Sequence, residues 1–350
     1  MPDVDAMNSA GNDSPPLASQ PHTRWLLISS WLMGAASLAA VVAMALHFSD
    51  ARDFARLLRQ VEPGWFVLAI LLQLLTYLLQ GQIYRLVSNA GHAHLRLLTA
   101  CKLGLLKLFF DQALPTNGIS GTVAVTAAFE GLGIPRPVVV ACLVISMLSY
   151  LCAYVLSLGW ALGIVITEGH ATALLVTAVM LFTLGSLALA LGIALLAGRR
   201  PLLALRGLQE RNWIKRSLAV LSEADVSLTR DPRLLAAATA LDLGIILLDA
   251  STLWVLVASM GEQAPWSGVF AGFMLASLLR SIGITPGGLG VFEGAAVTAL
   301  HWAGIDLPVA LSSTLLFRGL SFWAPMLPGI LVSRATWLAA KASRSPPGRG

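Results

Sequence analysis

Charge is what this chain has least of. Only 12% of its 350 residues are Asp, Glu, Lys or Arg, against about 25% in a soluble domain. That density cannot clothe a water-facing surface, so an ordinary soluble globular fold is excluded. Cysteine is scarce as well. Cys101, Cys142 and Cys152 each sit in an apolar stretch, and no zinc-ligand spacing joins them. Their odd number rules out a full disulfide framework, and they read as inert buried thiols. The net charge is +5, small and spread over loops, which gives no basic patch for nucleic acid. No partner of that kind, no cofactor and no metal is expected. What the chain has in quantity is hydrophobic residues, 57% of the total, gathered in long runs. That is the composition of a polytopic membrane protein.

Residues 1–23 are polar and rich in Ser, Pro, Asn and Asp. They predict a disordered N-terminus. The run that follows, Trp25–Phe48, is too long for a signal-peptide core and has only Arg24 before it, so it is read as a helix that stays in the membrane. A spanning helix needs about 20 apolar residues. Six segments qualify: Trp25–Phe48, Trp65–Val87, Val138–Ile166, Ala171–Ala197, Leu234–Met260 and Val309–Ser333. Two further apolar regions, about 97–132 and 267–304, are broken in the middle. The first break is "LPTNGISG", Leu114–Gly121; the second is Pro286–Gly290. The apolar halves around the second, Val269–Leu279 and Val291–Trp302, have 11 and 12 residues. Each is then roughly 17 Å long, about half of a ~30 Å hydrocarbon core. Such halves suit a helix that enters, turns and leaves on the same side.

Charge placement favours that reading over one long kinked span. The Arg199–Arg233 connection holds eight Lys or Arg, the tail after Ser333 four, and residues 85–107 four more. The connections "TEGH", "GEQAPW" and "GIDLP" hold none. The positive-inside rule puts both termini and the 198–233 linker in the cytoplasm. Six spans and two re-entrant hairpins satisfy it everywhere except in the Asp50–Glu62 loop, whose three arginines face three acids. The expected fold is therefore an all-α polytopic membrane protein, six spanning helices plus two re-entrant helical hairpins. Its transmembrane domain covers 24–335, ahead of a basic cytoplasmic tail, 336–350. The hairpins enter from opposite sides. They also share sequence at an offset of 171 residues: Pro115 with Pro286, Gly133-Ile134 with Gly304-Ile305, Pro137-Val138 with Pro308-Val309. Related halves of opposite orientation form an inverted repeat, and in many transporters paired broken helices of such halves build the substrate site.

Charges inside a bilayer are costly, so they tend to be paired, cavity-facing and functional. In the first hairpin region these are Lys102, Lys107, Asp111 and Glu130. Lys102 is placed to snorkel to the surface. Lys107 and Asp111 are one turn apart and fit either a structural pair or a site. Asp242 and Asp249, seven residues apart, share a face of the fifth span; Arg280 and Glu293 flank the second break; Arg318 lies in the last span. Pro286 ends a helix, while Gly287, Gly288 and Gly290 permit a turn and close approach of a ligand. The N-terminus of the helix from Val291 suits an anion such as a lipid phosphate, and Arg280 and Arg318 suit bidentate contacts to it. Glu293, in that helix's first turn, is favoured by the dipole. It suits a cationic headgroup, or a pairing with an arginine; a purely structural Glu293–Arg318 pair is the competing reading. Pro115 and Gly118 are the matching candidates in the first break. No strand precedes either break and no Gly-Lys-Ser/Thr follows, which excludes a nucleotide-binding loop.

The run "TPGGLGVFEGAAVTAL", followed by "STLLFRGLSFWAPMLPG", resembles the hallmark of the lysylphosphatidylglycerol synthase/flippase transmembrane family. Its pattern of Pro-Gly-Gly-x-Gly-x-x-Glu, then Arg and aromatic-x-x-Pro, falls here on Pro286, Gly287, Gly288, Gly290, Glu293, Arg318 and Pro325. The resemblance extends over most of the chain, from about Leu26 to Ser333, and is looser at "LPTNGISG". It implies an integral protein of the bacterial inner membrane that moves a lipid with a polar or charged headgroup: a phospholipid, an aminoacylated phospholipid or a polyprenyl-linked lipid. A partner enzyme that makes the lipid fits this picture. The family's synthases carry a large soluble aminoacyltransferase domain; this chain runs only 17 residues past Ser333, so translocation alone is carried over and no enzymatic activity is expected. Two other classes compete. One is an intramembrane lipid-modifying transferase with Glu293 or Asp249 as general base. The other is an ion-coupled carrier of small solutes with Asp242, Asp249 or Glu293 carrying the proton.

Overall fold

The computed structural model describes residues 62–113, 119–169, 171–197, 219–282 and 286–344. The N-terminal segment, the Trp25–Phe48 run, Pro115, Gly118, most of the 198–233 linker and residues 345–350 lie outside the described residues. Among those described there is no strand. The helices are α1 (Pro63–Ala90), α2 (Leu97–Ala113), α3 (Ile119–Gly131), α4 (Arg136–Thr167), α5 (Ala173–Leu196), a single turn α6 (Val226–Thr229), α7 (Pro232–Ala258), α8 (Trp266–Ile282), α9 (Val291–Trp302), α10 (Leu307–Arg318) and α11 (Ala324–Arg344). A 3-10 turn at Pro286–Gly288 and a π turn at Gly319–Trp323 join the last pieces.

Among the described residues five helices are long and apolar enough to cross a membrane: α1, α4, α5, α7 and the joined α10–α11. They match five of the six segments expected from hydropathy. Their starts follow local chemistry. Proline occupies the first turn of α1, α4, α7 and α10, where no intrahelical donor is lost. Asp231 caps α7 by accepting from the Arg233 and Leu234 N–H groups, and Thr172 caps α5 by accepting from Leu175 N–H. Leucines cover the outer faces: Leu71, Leu74 and Leu78 on α1, and Leu181, Leu184 and Leu191 on α5, are exposed. In a chain with so little charge, these faces belong in hydrocarbon, and the protein is a multi-pass membrane protein.

The element order repeats. Helices of 28, 17, 13 and 32 residues, α1 to α4, are followed after α5 by helices of 27, 17 and 12 residues, α7 to α9, and then by the last span. The exits of the two hairpins agree bond for bond. Gly133 and Gly304 both have positive φ, 76° and 88°. Their N–H groups bond back to Glu130 and His301, and those of Ile134 and Ile305 to Phe129 and Leu300. This is the glycine-terminated helix end that only a residue tolerant of left-handed backbone fits. It explains why Gly-Ile recurs at an offset of 171 residues.

Helices α1 and α7 pack antiparallel along their length: Glu62 N–H bonds Ser259 O at 3.3 Å, Gln73 bonds Asp249, and Gly244 lies against Leu79. Within each hairpin the helices are antiparallel too, with Gly272 against Ala299 and Gly121 against Asp111. Close approach needs the small residues: a Cβ on Gly81 would stand 2.5 Å from Cys101 Sγ. Two apolar clusters fill the interior. One centres on Tyr84, Phe129 and Val139, the other on Leu253, Phe270, Met274 and Phe292, and α1, α4 and α7 contribute to both. Tyr84 and Phe129 meet edge to face at 5.6 Å, a favoured aromatic geometry.

Candidate functional site

Where the repeats meet, a cavity of about 320 Å³ opens between α1, α2, α7, α8 and the last span. Its wall holds Lys107, Asp111, Asp249, Arg280 and Arg318, with Gly287 from the second break. Six of the sequence-predicted residues thus converge from five elements. Three do not reach it: Gly288, Gly290 and Glu293 are buried behind Gly287 and Arg318. Pro286 opens the 3-10 turn beside them. Asp242 is also off the cavity; it is buried on the α4 side of α7, where it accepts from Ser149 Oγ at 2.6 Å.

The break is built around Arg318. Its Nε donates to Glu293 Oε1 at 2.6 Å and its Nη2 to the Gly287 carbonyl at 3.0 Å. The guanidinium lies 4.5 Å from the Phe322 ring centroid and 5.3 Å from that of Phe292, so its faces rest on aromatic rings. The other Glu293 oxygen accepts from Gly290 N–H at 2.6 Å. The carboxylate therefore takes the α9 N-terminal donor that the sequence offers to an outside anion. Pair and loop seal each other: Glu293 is 0% and Arg318 4% exposed. Glycine is required here on two counts. Gly287 and Gly288 have φ of 58° and 68°, and a Cβ would run into Phe322 at the first and into Arg280 at the second.

Arg280 closes the last turn of α8, where a cation is favoured by the helix dipole. It stands 5.7 Å from the Phe292 centroid and has no carboxylate within ion-pair distance among the described residues. Opposite it, Asp249 accepts from Gln73 Nε2 at 3.2 Å and likewise has no cationic partner in contact among those residues. The cavity thus presents a cation and a carboxylate to the same space, neither of them in a salt bridge among the described residues. On the α2 wall Lys107 Nζ and Asp111 Oδ2 pair at 2.6 Å, partly exposed, and Asp111 Oδ1 accepts from Gly121 N–H at 2.9 Å. Sequence reasoning missed the uncharged polar lining: Gln73, Tyr77, Gln80, Gln112 and Ser321. Tyr77 donates to Leu320 O at 3.0 Å and Gln112 to Ser321 O at 3.4 Å. Gln73 Oε1, Gln112 Oε1 and Ser321 Oγ are buried without a protein partner among the described residues, a polar inventory suited to hydrogen-bonding a guest. The one available signal was Gln73 and Gln80, seven residues apart in a mostly apolar helix.

The chamber is thus polar and charged, and it lies within a multi-pass membrane protein. The chain belongs to the family described as lysylphosphatidylglycerol synthase TM region, whose model matches residues 26–329. No match is found among curated proteins.

Proposed function

We propose that the protein is a lipid translocase: the headgroup of a membrane lipid enters the chamber while its acyl or prenyl tails stay in the surrounding hydrocarbon. One observation carries this reading. A cation, Arg280, and a carboxylate, Asp249, neither in a salt bridge among the described residues, face one polar cavity between α1, α2, α7 and α8. Charges left unpaired in a bilayer interior are retained when a ligand meets them, and a junction between inverted repeats is where alternating access is generated. The lipid-related family is consistent with it. In this reading α2–α3 and α8–α9 are re-entrant hairpins. Their helices of 17, 13, 17 and 12 residues are about 18–26 Å long, short of a ~30 Å core. With Trp25–Phe48 as a sixth span, both termini face the cytoplasm of a bacterial inner membrane. A separate enzyme supplies the lipid, and no chemical step is assigned to this chain.

The test is translocation of headgroup-labelled phosphatidylglycerol in proteoliposomes, read with a membrane-impermeant quencher. Wild type moves the lipid. Arg280→Ala and Asp249→Asn, which break no ion pair, slow it by about tenfold or more, equivalent to one lost charged contact. Product formation from added lipids without translocation would instead favour the transferase reading.

A further inference from the structure

We infer that Asp242 and Gln80 form the counterpart of Asp249 and Gln73, a second headgroup contact that faces the cavity when the protein opens to the other side of the membrane. The inference rests on the translocation reading above. Its starting point is the repeat itself. Helices α1 and α7 begin at Pro63 and Pro232, an offset of 169 residues. At that offset Gln73 corresponds to Asp242, and Gln80 to Asp249. Both helices thus carry polar residues at the same two positions, seven residues apart, in sequence that is mostly apolar.

The two helices pack antiparallel, so the operation that exchanges the repeats also exchanges these pairs. It turns the observed bond from Gln73 Nε2 to Asp249 Oδ1 into a bond from Gln80 to Asp242. The present conformation is asymmetric. Asp249, Gln73 and Gln80 line the cavity, whereas Asp242 is 4% exposed and, among the described residues, holds only Ser149. Gln80 makes no side-chain hydrogen bond among the described residues. A buried carboxylate with a single hydroxyl donor and no cation in contact among the described residues is poorly compensated. Asparagine or serine would serve a structural bond to Ser149 equally well. The carboxylate is explained if its full acceptor capacity is used in another state. When two repeats of like fold hold different local conformations, exchanging them gives a second arrangement of the same architecture, open on the opposite side. There Asp242 leaves Ser149, meets Gln80 and lines the chamber. A carboxylate accepts and does not donate, so the group it takes is a hydrogen-bond donor of the headgroup, an ammonium or a hydroxyl.

The experiment uses the full chain in proteoliposomes with Cys101, Cys142 and Cys152 replaced by alanine. Single cysteines are introduced as Asp249→Cys, Asp242→Cys and Ser149→Cys. Each is exposed to a membrane-impermeant methanethiosulfonate from one face, then from the other. The cysteine at 249 is labelled from one face; those at 242 and 149 are labelled about tenfold or more faster from the opposite face, as two exchanging populations require. Labelling of both from the face that serves 249, or from neither face, overturns the inference. Ser149→Cys keeps Asp242 in place and decides the matter if Asp242→Cys does not fold. The readout needs no lipid substrate. A wild type that moves no phospholipid therefore counts against the translocase reading alone, and the labelling pattern still decides this pairing.

Discussion

In the first hairpin Asp111 accepts from Gly121 N–H and pairs with Lys107; in the second Glu293 accepts from Gly290 N–H and pairs with Arg318. The device is the same: one carboxylate caps the returning helix and holds a cation. The settings differ. Lys107 and Asp111 are 34% and 19% exposed at their side chains, on the cavity wall. Arg318 and Glu293 are 4% and 0% exposed. The carriers differ as well. Asp111 sits on the outgoing helix of its hairpin, at the position that Arg280 holds in α8. The two repeats have thus kept a charge at the same place and reversed its sign. One pair is adjustable and the other is part of the frame, because the first is partly exposed to screening and the second is buried.

Glu293→Gln should break the frame and have the largest effect. It leaves Arg318 charged and buried, at a cost of about 3–5 kcal/mol. Thermal unfolding in detergent should drop steeply, while Glu293→Gln combined with Arg318→Met should recover much of the loss. Gly288→Ala comes next. The added Cβ meets Arg280 on a backbone of positive φ, a strain of about 1–3 kcal/mol, and the displaced Arg280 should reduce lipid movement with it. In the first hairpin Asp111→Ala should cost about 1–2 kcal/mol through the orphaned Gly121 N–H. Lys107→Ala should cost under about 1 kcal/mol. Equal losses for Lys107→Ala and Glu293→Gln would erase the distinction between the hairpins. The smallest effect lies outside both. Asp225 caps α6, and the Ser227 hydroxyl holds its carboxyl below the usual range. Its stabilising contribution is present above the unfolded-state value and lost as pH falls through the lowered folded one. Asp225→Ala should cost about 1 kcal/mol or less, seen as faster proteolysis of the adjoining connection.

Much of this architecture is written in the sequence in ways physics makes legible. Gly133 and Gly304 stand out because a left-handed helix end accepts little else. Arg280, Glu293 and Arg318 stand out because charge is rare in this chain. The break at Pro286–Gly290 is legible for its glycines. The fate of Glu293 is not: nothing in a spacing says that its carboxylate satisfies its own helix rather than facing the cavity. Asp242 and Asp249 share a face on paper, yet one meets Ser149 on α4 and the other Gln73 on α1, because a shared face still borders two neighbours. The repeat in α1 and α7 escapes a gapless comparison, since the offset is 169 residues before the breaks and 171 after them. Glutamine against aspartate adds no identity there.

The last span carries one more lesson. At Gly319–Trp323 it widens into a π turn, the local winding left when one extra residue is accommodated inside a helix. Two of its carbonyls, those of Leu320 and Ser321, are taken by Tyr77 and Gln112. A helix interrupted in this way is a shaft with a coupling in it. The half that bears Arg318 and the half that packs Gly329 against Phe109 need not turn together, and the two side chains that clasp the coupling belong to the opposite repeat.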